Sequence, residues 1–127
     1  MSAPAPPATA DEAMDMVRAG LSFLARADAA ELPTVTQARL LRELERAESQ
    51  HTAARARILA VFDGQWGFRD DGHAGPHSWL TWQTQVTGKA ASGAIGWVRR
   101  LAAHPVVGEA LAAGTVSASY ARKICEW

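Results

Sequence analysis

One cysteine, Cys125, stands in the whole chain. No internal disulfide can form, and such usage suits a reducing cytoplasm. No apolar run approaches the length that crosses a bilayer, so no membrane partner is expected. The opening "MSAPAPPATA" has neither the charged start nor the apolar centre of a secretory signal, and residues 1–10 read as a disordered lead-in. Lys and Arg balance Asp and Glu at 13 each. A nucleic-acid contact would therefore come from a local patch, because bulk charge supplies no attraction. Alternating apolar and polar residues are almost missing, which removes strands. Without a strand there is no strand-turn-helix elbow for a nucleophilic serine and no glycine-rich loop to cradle phosphate. Cys125 has no histidine in its segment. No enzyme is expected in this chain, and no cofactor.

What remains is helical periodicity. Met14, Val17, Leu21 and Leu24 step by three and four after an acidic start (Asp11, Glu12, Asp15), which suits the positive end of a helix dipole. Thr34 and Gln37 have capping-box spacing and open a long second helix. Leu40, Leu44, Ala47, His51, Ala54, Ile58 and Val61 then alternate four and three apart, forming a heptad seam widened by Leu41, Leu59 and Phe62. The seam can pack on other helices of the chain or on a second copy. His51 within it reads as a register-fixing polar residue. Asp63-Gly64 ends the helix.

Beyond a glycine- and aspartate-rich loop, Pro76 opens a short helix whose apolar surface comes from Trp79, Leu80 and Trp82. Thr87 caps a further helix with an inward stripe of Ala91, Ala94, Ile95, Val98, Leu101 and Ala102. His104-Pro105 breaks the pattern, Gly114 caps the next short helix, and Ser117 opens a last one with Ala121 and Ile124 inward. That last helix runs to Glu126-Trp127 without a stop signal, so the chain is expected to be the N-terminal part of something longer. The fold expectation is all-α: residues 11–127 as one helical domain, a long helix with several shorter ones, and a helix-turn-helix-like unit in the second half.

Two stretches invite a functional reading. "DDGHAGPHSWL" gathers Asp70, Asp71, His73 and His77. The histidines are four apart, but Gly75-Pro76 prevents one helix from carrying both, and no partner glutamate or second cysteine completes a zinc site. A structural joint, with His73 or Asp71 bonding backbone in the turn, stands against a divalent-metal loop. The second stretch is the pair of helices joined by Gln85-Val86-Thr87. On the face opposite the apolar stripe lie Lys89, Ser92, Gly96, Arg99 and Arg100, where basic side chains can meet phosphates and Gly93 and Gly96 admit a close backbone. The competing reading is an ordinary solvated face with glycines used for helix packing.

Taken in order, "DGHAGPHSWL", "VTGKAASGAIGWVRRLAAHP" and "ALAAGTVSASYARKI" resemble the helical domain of unknown function (domain of unknown function 222) at the N-terminus of many actinobacterial HNH endonuclease proteins. The matching positions are Asp71, Gly72, His73, Trp79, Leu80, Arg99, Arg100, Leu101, Pro105, Ala110, Leu111, Gly114, Ser117, Ala121 and Arg122. Tyr120 stands where that pattern has histidine, and Val116 where it has isoleucine. The closing piece also loosely resembles a helix of ParB-type DNA-binding proteins. The resemblance implies a non-catalytic module that positions a downstream HNH nuclease domain on double-stranded DNA. Lys89, Arg99 and Arg100 are the expected phosphate contacts. An HNH site uses histidines on a ββα scaffold and usually an asparagine, and this chain has no asparagine. A protein-protein or homodimerisation role for the heptad helix is the alternative.

Overall fold

A computed structural model describes residues 5–125. The described residues form helices and no strands, as the periodicity requires. No helix among them is long and apolar enough to cross a membrane. The first four residues of the expected lead-in and the Glu126-Trp127 end lie outside the described residues. The chain divides into two compact units, Met1–Ala38 and Arg39–Trp127.

The first unit holds α1, Ala10–Arg26, whose N-cap Thr9 accepts from the Glu12 backbone N–H. None of its residues is buried, so the stripe of Met14, Val17, Leu21 and Leu24 stands open. A short 3-10 helix, Ala29–Glu31, leads into α2, Thr34–Gly64. The capping box does not form as the spacing suggests. Thr34 is already helical, the Pro33 carbonyl accepts from the Thr36 and Gln37 N–H groups, and the Gln37 amide donates to the carbonyls of Ala29 and Leu32. Gln37 thus ties the preceding turn to the helix rather than satisfying the first N–H.

The second unit is built around the remainder of α2. The buried residues of this helix are Ser49, Thr52, Ala56 and Leu59, whereas Leu44, Ile58 and Val61 of the heptad seam are exposed, as are Ala47, His51 and Ala54. Leu59 and Phe62, expected to widen the seam, pack inward instead. From Ser49 to Ala56 the inward side is made of small residues that let helices approach closely. Its two hydroxyls are satisfied locally, Ser49 Oγ donating to the Glu45 carbonyl and Thr52 Oγ1 to that of Glu48, so burying them costs little.

Against this side pack α3 (Pro76–Gln83), α4 (Gly88–Ala103), α5 (Pro105–Ala113) and α6 (Ala118–Ile124). One cluster joins Ala56, Trp97, Leu111 and Ala121. The other joins Leu59, Leu80, Ala91 and Ala94, with Phe62 and Trp79 against it. Trp97 is a core residue that the expected stripe left out, and Ala102, expected inward, is exposed. Trp82 is 74% exposed and adds nothing to the core. Ile124 also points outward, while the neighbouring Cys125 is buried. The caps hold: Thr87 accepts from Ala90 N–H, Ser117 from Tyr120 N–H, and Pro76 sits in the first turn of α3. Gly114, at φ +73°, closes α5 by donating to the Leu111 carbonyl while Thr115 donates to that of Ala110, the Schellman arrangement.

Candidate functional site

The aspartate- and glycine-rich loop folds as a 3-10 helix, Gly67–Asp71, bounded by left-handed residues Trp66 and Gly72 and anchored by buried Phe68. The Arg69 guanidinium lies 3.7 Å above the Trp66 ring. From this loop Asp71 accepts the Trp79 indole N–H at 2.8 Å. His73 Nδ1 meets Ser78 Oγ at 2.7 Å, and its Nε2 meets the Gln83 amide nitrogen at 3.1 Å. With the amide donating, Nε2 is the acceptor and Nδ1 carries the proton. His77 turns elsewhere: its Nε2 donates to the Gly88 carbonyl at 3.1 Å, bridging the start of α3 to the start of α4. Both histidines are thus occupied with protein partners, His73 tying the loop to α3 and His77 tying α3 to α4. The bonds from His73 and Asp71 run to side chains on α3 rather than to backbone in the turn. No group of three or more His, Cys, Asp or Glu able to hold a metal occurs among the described residues.

Thr84–Thr87 connects α3 to α4, with Gln85 in the left-handed region at φ +56°. The core takes Ala91, Ala94 and Trp97 of α4, which leaves Lys89, Ser92 and Arg99 exposed on the other side and Arg100 half-buried between the two. Gly93 is also on the outer side, and a Cβ built there meets no atom within 4 Å. Packing therefore does not demand glycine at that position. The helix begins at a Thr87 cap, with Lys89 in its first turn and Arg99 and Arg100 near its end, so its positive charge sits at the two ends and its middle is uncharged.

The sequence reading missed a second basic feature. Arg42 and Arg46 of α2, with Glu45 between them, line a polar hollow of about 160 Å³ together with Ser49 and the Gly114–Ser117 turn. A Cβ at Gly114 would fall on the Cγ of Arg46, so the arginine stem lies across that turn. The spacing of the two arginines, one helical turn apart, was visible. The turn that meets them is more than sixty residues away, and no local pattern connects them.

Among family models, curated proteins and solved structures, none matches this chain.

Proposed function

We propose that the chain is a non-catalytic helical module that lays the exposed face of α4 on double-stranded DNA. In this reading it positions a nuclease domain of the HNH type carried by a longer parent protein. The observation that carries the reading is the division of α4 into a core side of Ala91, Ala94 and Trp97 and an outer side of Lys89, Ser92, Gly93 and Arg99. The outer side combines cationic ends with a small, open middle where a sugar-phosphate backbone can approach. His77 supports it by fixing α3 against the start of α4, and rigid presentation is what groove recognition needs. Arg100 serves from the flank of the same face. Fluorescence anisotropy with a labelled duplex tests this. Binding should weaken steeply with salt, and Lys89→Ala with Arg99→Ala should lower the slope of log K against log salt by roughly two. A double variant that binds with the unchanged slope would remove α4 from the interface.

A second reading, an interaction module acting through α2, is favoured by the exposure of the heptad seam, with Ile58 69% and Leu41 66% exposed. Replacing Leu44 and Ile58 together by glutamine should leave the dilute chain as stable as before. A loss of several kcal/mol would show that the seam is core.

A further inference from the structure

The reading of α2 as an interaction surface leaves its occupant open, and the inference here rests on that reading. We infer that the occupant is a second copy of this chain, paired antiparallel along α2 about a two-fold axis near His51–Ala54.

The seam runs from Leu40 to Val61, about 30 Å at about 1.5 Å per residue, and lies wholly in the second unit. Its positions alternate four and three apart, which assigns Leu44, His51 and Ile58 to one core position of the heptad and Leu40, Ala47, Ala54 and Val61 to the other. The side of α2 that carries Ser49, Thr52, Ala56 and Leu59 is already used by the chain's own core. Among the described residues, the seam positions from Leu44 to Val61 are all exposed. From Arg39 to Glu48 the helix buries no residue at all.

The sizes along the seam complement themselves when the second helix runs the opposite way. Leu44 then lies level with Val61 of the second copy, Ala47 with Ile58 and His51 with Ala54. Every pair occurs twice by symmetry, as a two-fold interface requires. Large residues meet small ones in the two inner layers, so the helices can close at an even spacing.

Charge selects the same arrangement. The residues flanking the seam include Glu43, Glu48, Arg55 and Arg57, all exposed. In the antiparallel register just described, Glu48 lies beside Arg55 of the second copy, again twice. A parallel pair instead sets Glu43 beside Glu48 of the second copy, with like charges on both sides. Sliding the antiparallel pair by one heptad sets Glu48 against itself in one direction and Arg55 against itself in the other. The first slide also draws Gln37 into the seam, and the Gln37 amide is already committed to the Ala29 and Leu32 carbonyls. Only one of these four arrangements avoids every conflict.

Sedimentation equilibrium of the full chain, with Ile58→Glu, Glu48→Arg, Arg55→Glu and the double charge exchange, tests this, and circular dichroism checks that each variant keeps its helices. The wild type should dimerise, and Ile58→Glu should raise the dissociation constant at least tenfold. Each single charge reversal should weaken the dimer several-fold and the double exchange restore it. In a parallel pair the sign differs, because Glu48→Arg would strengthen association by facing Glu43. Spin labels give an independent reading. A label at residue 43 should lie ~30 Å from its copy and one at residue 57 much nearer, whereas parallel helices hold both pairs at a similar short distance. A chain that stays monomeric at ~100 µM (about a hundred times the micromolar affinity level), a dimer indifferent to Ile58→Glu, or a dimer strengthened by Glu48→Arg would each overturn the inference. A monomer that tolerates glutamine at Leu44 and Ile58 leaves the interaction reading standing and removes only the self-pairing.

Discussion

Replacing His73 by alanine separates a structural joint from a metal site at the aspartate-glycine-histidine turn. The ring is half-buried and makes two hydrogen bonds, to Ser78 at 2.7 Å and Gln83 at 3.1 Å. A net hydrogen bond contributes ~1 kcal/mol, and a buried partner left unmatched costs ~1–3 kcal/mol. Gln83 is exposed and can turn to water, which removes most of its penalty, while Ser78 is half-buried and keeps more of its own. The expected loss is about 2 kcal/mol, which for a unit of this size lowers the melting temperature by roughly 10 °C. His77→Ala, which loses one exposed bond to the Gly88 carbonyl, should cost less than about 1 kcal/mol. Calorimetry or urea unfolding in the presence of a chelator measures both. Zinc or manganese should leave the wild-type melting temperature where it is. A metal-dependent rise that vanishes in His73→Ala, with no loss in the chelated protein, would refute the hydrogen-bonding role.

Neighbouring residues of α2 offer a sharper contrast. Leu59 is 6% exposed and packs with Leu80, Ala91 and Ala94, so Leu59→Ala should cost ~3 kcal/mol at any protein concentration. Ile58→Ala in dilute protein should change stability by less than ~0.5 kcal/mol, with a cost that appears only as the concentration rises and copies pair; denaturant titrations at two concentrations distinguish the cases. Gly114→Ala should cost at least ~1 kcal/mol, because φ +73° strains an L side chain and the new Cβ meets the Arg46 stem. Thr87→Ala removes the acceptor for Ala90 N–H and should cost ~1 kcal/mol by thermal unfolding.

Much of the fold was legible from local chemistry. Pro76, Thr87, Gly114 and Ser117 each satisfy or end a backbone ladder within a few residues, so their roles are fixed by short-range hydrogen bonds that sequence spacing reveals. The facing of α2 was not legible. An apolar period of four and three tells that one side is greasy, and leaves open whether the chain itself covers it. Over its first two turns the covered side carries Ser49, Thr52, Ala53 and Ala56, with little hydrophobic contrast, and there it becomes a core surface because small side chains admit close neighbours; only Leu59 and Phe62 beyond them are large and apolar. Trp97 was missed for a related reason: it sits at the edge of the α4 stripe, and only its large ring carries it into the cluster with Leu111. At the candidate site, Lys89 and Arg99 stand on the side their spacing indicated. The partners of His73 and Asp71 depend on how the loop folds back over α3, and that of His77 on how the chain turns from α3 into α4; residue spacing alone carries no trace of either return.

The most direct test of the proposed role asks which surface touches a duplex. A photoreactive group attached through Ser92→Cys would sit in the middle of the outer side of α4, while native Cys125 is buried and labels poorly in the folded protein. Irradiation with double-stranded DNA at low salt should cross-link the Ser92 site strongly and the same group at Glu109 of α5 weakly. Equal yields at the two positions, or cross-linking at Glu109 alone, would contradict the assignment of α4 to DNA.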